Sequence, residues 1–282
     1  MSKKTLIALL AVVAVLALAV SSVSAITDGE LDGEDHPYVV LLLMETESGA
    51  MYRCSATLLS PTVALTAGHC TSNYGYIEEE GDYSAMRIFT ESDVDGGDNN
   101  YPYCNKDEGD ENCINALSWA AHPDYATDAF YVHDVGIVIL EEPFELDEYG
   151  TLPELDQFDE LPMPSGKSNK TWFTSVGYGQ QIIFTDETQW EMQSERIRMV
   201  AYPFLKQINV PGITGDYSLW LSNNHSTGGT CYGDSGGPNF LGDTNIVAGV
   251  TSFGMNETCS GSGGVFRTDR ADVLDFIGTY YP

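Results

Sequence analysis

Gly233-Asp234-Ser235-Gly236-Gly237-Pro238 restricts what this chain can be more than any other stretch of its sequence. It sets a serine on a tight glycine turn, where the hydroxyl stands clear and two backbone N–H groups can face one point. Glycine permits that geometry because it carries no Cβ. Acyl transfer needs such a nucleophile beside a preformed oxyanion site. Two further segments supply the rest of the chemistry. Thr66-Ala67-Gly68-His69-Cys70 brings an imidazole, and Asp134-Val135-Gly136-Ile137-Val138-Ile139-Leu140 is an aspartate opening a nearly unbroken apolar strand. A base, and a carboxylate that orients it, are what a serine hydroxyl requires to attack a carbonyl.

In these three motifs, and in the order His69, Asp134, Ser235, the sequence resembles the chymotrypsin/trypsin family of serine proteases over nearly all of the chain after residue 25. Subtilisin-like and α/β-hydrolase enzymes place the same residue types in other orders. The resemblance implies His69 as general base, Asp134 as its orienting carboxylate and Ser235 as nucleophile, with the N–H groups of Gly233 and Ser235 as the oxyanion hole. It also implies the fold: all-β, two packed six-stranded antiparallel barrels with a C-terminal helix. The first barrel is expected over about residues 26–150 and the second over about 151–282, with catalysis in the cleft between them.

The residues read on their own agree with an all-β class. Short apolar or alternating runs separated by Gly, Asp, Asn and Pro predict strands at 38–44, 51–59, 63–66, 86–90, 136–140, 171–176, 246–253 and 264–267. Ala271, Leu274, Phe276 and Ile277 recur at helical spacing and predict a helix within Asp269–Tyr280. His122-Pro123-Asp124-Tyr125 resembles a structural loop of the family. His133 is expected to face away from Asp134 across an extended strand. Gly177-Tyr178-Gly179 resembles the opening of the second barrel. Ser252-Phe253-Gly254 resembles the segment that pairs with substrate backbone, and the Ser252 hydroxyl is placed to support Asp134.

Lys3 and Lys4 precede an apolar run from Leu6 to Val20, followed by the small-residue site Val23-Ser24-Ala25. This is the pattern of a secretory signal peptide over residues 1–25, too short for a membrane span. An extracellular location follows, and with it disulfides among the six cysteines. The resemblance implies the pairs Cys54–Cys70 and Cys231–Cys259, which leaves Cys104 with Cys113. The formal charge is −30, from 12 basic and 42 acidic residues; without Lys3 and Lys4 it is 10 against 42, or −32. So acidic a chain is a poor partner for nucleic acid, whose phosphates need Lys and Arg. It reads as a solvated, self-repelling monomer that does not bind membranes once the leader is removed, with protein or peptide substrates. No cofactor and no metal are expected: H-E-x-x-H is absent, and the run Glu78 to Asp82 reads as solvated acid.

Ile26-Thr27-Asp28-Gly29 resembles the mature start of the family, in which a freed Ile ammonium pairs with the aspartate before the catalytic serine, here Asp234. A buried carboxylate needs such a partner. No basic residue lies between Lys4 and Arg53, so removal of the leader after Ala25 is expected to create the Ile26 terminus directly. By the same resemblance, Gly229 and Thr230 should form the floor of the specificity pocket, Gly254 and Gly264 its walls, and Ser252, Phe253 and Gly254 the substrate-pairing edge. A floor without charge favours large apolar residues on the acyl side of the cleaved bond. Gly229→Asp should move that preference toward Lys and Arg. An elastase-like or basic preference, a non-catalytic binding protein on the same fold, and a lipase or esterase are the alternatives. The His-first order and the β pattern stand against the last.

Overall fold

The computed structural model describes residues 26–72, 81–94, 104, 112–125, 132–163, 170–186, 189–193 and 195–281. The leader expected at 1–25, most of the acidic run at 78–82 and the greater part of the loop between Cys104 and Cys113 lie outside the described residues. From the N-terminus the chain forms β1 (Glu30–Leu31), β2 (Val39–Thr46), β3 (Met51–Ser60), β4 (Val63–Thr66), the single turn α1 (Gly68–Thr71), β5 (Tyr83–Phe89), β6 (Cys113–Ala121) and β7 (Gly136–Leu140). It continues with β8 (Phe173–Gly177), β9 (Ile182–Asp186), β10 (Gln189–Gln193), β11 (Met199–Ala201), β12 (Leu205–Val210), β13 (Gly215–Asn223), β14 (Pro238–Leu241), β15 (Val247–Gly254), β16 (Gly261–Arg267) and the helix α2 (Ala271–Gly278).

β2 to β7 close a six-stranded antiparallel barrel in the order β2-β3-β4-β7-β6-β5. Val39-Val40-Leu41-Leu42-Leu43-Met44 of β2 is apolar without alternation and buried on both faces. That is the pattern of a strand with core on each side rather than of an edge. The second half is an eight-stranded sheet ordered β1-β11-β8-β14-β15-β16-β13-β12. Only Tyr202-Pro203-Phe204 separates β11 from β12. Across that bend the Phe173 N–H donates to the Pro203 carbonyl at 2.8 Å and the Leu205 N–H to the Thr171 carbonyl at 2.8 Å. The strand that leaves β8 at one end therefore joins β13 at the other, and β8, β14, β15, β16, β13 and the bent β11–β12 curl into the second barrel. β1 is added outside it, so the N-terminal segment belongs to the second barrel and not to the first.

One apolar cluster runs through both halves: Leu42, Leu65 and Ile137 of the first pack in the same core as Val176, Phe240 and Val250 of the second. Val273, Phe276 and Ile277 of α2 complete it, so the C-terminal helix lies on the joint. The predicted helix is shorter than its periodicity suggested by two residues at each end. Strands β1, β6, β11, β12, β13 and β14 and the hairpin β9–β10 were not among the predicted runs.

Three arginines, Arg87, Arg198 and Arg267, are fully buried. Arg198 holds the N-terminal segment: its Nε lies 2.9 Å from Asp32 Oδ2, and its terminal nitrogens donate to the carbonyls of Gly33 and Val39 and to the Tyr178 hydroxyl. Burial pushes the Asp32 carboxyl up, but His36 and Arg198 together outweigh it and hold the group below its ordinary value. Arg267 is paired to Asp269 and Asp159. Each of these arginines faces a carboxylate, and the buried aspartates Asp32, Asp134, Asp234 and Asp269 offset their charge, so the surface keeps the acidic excess of the whole chain.

Candidate active site

Disulfide Cys54–Cys70 joins β3 to α1, the turn that carries His69. Asp134 stands just ahead of β7 on a γ-turn, closed by the Val135 N–H donating to the His133 carbonyl at 2.8 Å. Its carboxylate is fully buried and faces α1. It accepts the His69 backbone N–H at 2.9 Å, and the His69 Nδ1 lies 2.9 Å from Oδ2 and 3.1 Å from Oδ1. Ser252 Oγ, from β15 in the other barrel, donates to Oδ2 at 2.5 Å. Three donors therefore fix one buried carboxylate, and the carboxylate fixes the imidazole. With Nδ1–H directed at Asp134, Nε2 is the ring nitrogen that carries the lone pair and can accept a proton.

Burial disfavours the charged form of His69, but the Asp134 charge and hydrogen bond outweigh it, so the imidazole titrates above its ordinary 6.5. Since only the neutral ring can take a proton, activity should fall as pH drops through that raised value. Following the His69 ring resonances in an inactive Ser235→Ala chain should give a midpoint above 6.5, and Asp134→Ala should lower it. A midpoint that ignores Asp134→Ala would contradict the coupling.

Ser235 and His69 line the same cavity of about 540 Å³, together with Gly233, Thr230 and Gly254. Gly233 has φ of +95°, in the region where a side chain is strained. The turn is tied down from both sides. The Ser55 N–H donates to the Ser235 carbonyl at 2.8 Å, and Ser55 Oγ donates to the Gly233 carbonyl at 3.0 Å. Among the described residues no backbone carbonyl accepts from the Gly233 or Ser235 N–H, whereas those of Asp234, Gly236 and Gly237 are all taken. Two free donors beside a half-buried serine hydroxyl are what a developing oxyanion needs.

Asp234 points the other way, into the protein. Its oxygens accept the Gly179 N–H at 2.7 Å and the Cys231 N–H at 2.8 Å. Burial pushes its carboxyl up to about 7, against those two donors and the nearby charge of Arg53, which pull it down. Ile26 is fully buried and packs with Met199, Ala201 and Ile197. Thr27 forms an antiparallel bridge with Gly229.

The pocket departs from its expected arrangement in two places. Thr230, Ser252, Phe253 and Gly254 line the cavity, but Gly229 and Gly264 do not. A Cβ on Gly264 would meet the Phe253 ring at 2.4 Å, while one on Gly263 would stand 3.1 Å from Thr230 Oγ1. Gly263 is therefore the residue directed at Thr230. Between Thr251, opposite Val265, and Phe253, opposite Gly264, β15 carries one extra residue, Ser252, so the Phe253 ring comes to lie against Gly264. A Cβ on Gly229 would meet the Asn223 side chain at 2.2 Å, so the space its side chain would take is already filled. Gly229→Asp alone does not fit there. Nothing in the sequence motifs marked Asn223. The signal was the Asn-to-Gly loop itself: the bridge Asn224↔Gly228 sets 223 opposite 229.

His122, Asp124 and His133 bring ligand atoms within 4.8 Å of one another. The two rings, however, stack at 14° with centroids 4.8 Å apart. One ion cannot lie in both ring planes, so the cluster does not fit a metal. His133, at φ of +54°, instead sends Nε2 to Asp272. The three disulfides are Cys54–Cys70, Cys104–Cys113 and Cys231–Cys259. The last ties the serine turn to the far side of the cavity.

Comparison with known proteins bears on the whole chain. Brachyurin of Leptuca pugilator is 27% identical over 243 residues, covering 81% of this chain and 88% of its own. Coagulation factor XII of Cavia porcellus is 26% identical over 278 residues, which is 91% of this chain but 40% of that protein, so the chain spans less than half of that relative. The trypsin of Saccharopolyspora erythraea is 26% identical over 252 residues, 88% and 91% of the two chains. The solved structure of HL collagenase superposes with a TM-score of 0.65 at 20% identity, over 90% of this chain and 98% of that one, a likeness of fold. The family model described as Trypsin matches residues 29–277, from the segment before β1 into α2. Since that match takes in both barrels and every motif of the cleft, the chain belongs to the trypsin family and is a serine-type endopeptidase.

Proposed function

We propose that the chain is a secreted endopeptidase whose mature form begins at Ile26 and whose chemistry is carried by His69, Asp134 and Ser235. The observation that carries this is the buried Asp134 carboxylate 2.9 Å from His69 Nδ1, with His69 and Ser235 lining one cavity. His69 takes the Ser235 proton as Oγ attacks the scissile carbonyl. The N–H groups of Gly233 and Ser235 receive the oxyanion. His69 then protonates the leaving amine, and water releases the acyl group by the same steps in reverse roles. The Ile26 ammonium, once free, pairs with Asp234 and holds the Gly233 turn in its donor-presenting form.

The acyl-side residue enters beside Thr230 and Gly254, which line the cavity, and a large apolar side chain suits that site. Glu257 is the only carboxylate lining the cavity among the described residues, and it is exposed. It stays hydrated and does not provide the desolvated partner that a buried Lys or Arg needs. An apolar ring gains about 2–3 kcal/mol from burial there. Cleavage of a peptide library by the purified chain, read by mass spectrometry, tests the reading. Phe, Tyr, Leu and Met should dominate on the acyl side. Dominance of Arg and Lys would overturn the pocket assignment, and absence of cleavage by a fully processed chain would overturn the whole.

A further inference from the structure

We infer that Asn223 is a specificity-determining residue behind the Thr230 wall of the pocket, and that it links the N-terminal segment to that wall. The inference rests on the reading of the cavity as the acyl-side pocket. Asn223, the last residue of β13, is almost fully buried. A side chain at 229 would project into the place it occupies: an added Cβ would lie 2.2 Å from its Cγ and 2.4 Å from its Oδ1. Its Nδ2 donates to the Thr230 carbonyl at 2.8 Å. Its Oδ1 accepts from Thr27 Oγ1 at 3.1 Å, and the same hydroxyl reaches the Gly229 carbonyl at 3.2 Å. The Gly229 N–H closes the group by donating to the Thr27 carbonyl at 3.0 Å.

Two consequences follow. First, residue 229 is glycine because its side-chain space is taken. Asn223 cannot swing aside without leaving the Thr230 carbonyl and its own buried amide unpaired, which is costly. Second, the group behind Thr230 is a neutral amide delivered from β13, and it bears on the cavity through the Thr230 carbonyl, since neither Asn223 nor Gly229 lines the cavity itself. The charge behind the Thr230 wall is therefore decided at 223. Thr27 follows the Ile26 terminus directly, so the same amide ties the seating of that terminus to the position of Thr230.

The test uses the mature chain and its variants Gly229→Asp, Asn223→Gly, the two combined, and the isosteric Asn223→Asp. A fluorophosphonate titrates the fraction of competent enzyme, and kcat/KM is then measured per titrated site on matched peptides with Phe, Leu or Arg on the acyl side. Gly229→Asp alone should lose about 100-fold on every peptide, the scale of an ångström of misplacement near the chemistry. Adding Asn223→Gly should recover at least about tenfold and turn the Arg:Phe ratio toward Arg, the non-additivity expected of residues sharing one space. Asn223→Asp should raise the Arg:Phe ratio by about tenfold without any change at 229. A purely structural role would lower all peptides by one factor and leave the ratio fixed, and that result would overturn the inference. So would a Gly229→Asp chain that turns to Arg with Asn223 in place. An unmutated chain that takes no label would instead strike the reading of the cavity itself.

Discussion

Ser235→Ala should lower kcat/KM by about 10⁴-fold or more while leaving the fold in place, because the nucleophile and its base act as a unit. The fold is expected to survive because what Ser235 contributes to it is backbone. The Ser55 N–H donates to its carbonyl, and the flanking Gly233 and Gly236 set the turn. Alanine keeps all of that and removes only Oγ. The measurement is hydrolysis of one apolar-site peptide by the variant and the unmutated chain, with melting curves of both. Matching melts with a collapsed rate are the expected result. A rate within tenfold of the unmutated chain, in a preparation free of other proteases, would remove Ser235 from the chemistry.

Retaining residues ahead of Ile26 should be the second large effect. In the unprocessed chain, burial raises the Asp234 carboxyl from 3.8 to about 7. A folded-state value above the unfolded one means stability that is present below pH 3.8 and lost as pH rises through about 7. The shift corresponds to about 4 kcal/mol, or about a thousandfold in population. A free Ile26 ammonium beside the carboxylate reverses the loss by favouring the charged form. The extended chain should therefore melt progressively lower, relative to the chain beginning at Ile26, as pH rises from 4 to 7, and it should be the less active at neutral pH. The Arg198–Asp32 pair and the burial of Ile26 with Met199, Ala201 and Ile197 already hold this N-terminal segment against the second half of the fold. Superimposable melts and equal activity of the two forms would contradict it.

What the sequence revealed and what it hid follow one physical division. Features coded by contiguous residues were legible. The apolar runs of β2, β7 and β15 announced buried strands, and the turns around His69, Asp134 and Ser235 carry their chemistry within a few residues. The hydroxyl of Ser252 was foreseen beside Asp134, and the contact is there at 2.5 Å. Features set by how strands pair were not legible. β6, Cys113–Ala121, has no clean alternation because its middle is exposed, and β13 opens on Gly215-Asp216. The pocket suffered most. One extra residue in β15, Ser252, set Phe253 against Gly264, and the loop at Asn224–Gly228 brought a side chain from six residues upstream against Gly229. His133 was expected to face away across a strand. It instead sits at positive φ ahead of β7 and stacks on His122.

The central claim is that Ser235, activated through His69 and Asp134, is the nucleophile. The most direct measurement is reaction of the native mature chain with a fluorophosphonate, followed by digestion and mass spectrometry of the labelled peptide. The account predicts one label per chain on Ser235, with labelling slowed by orders of magnitude in His69→Ala. A chain that cleaves peptides yet carries its label on another residue, or labels as fast without His69, would contradict it.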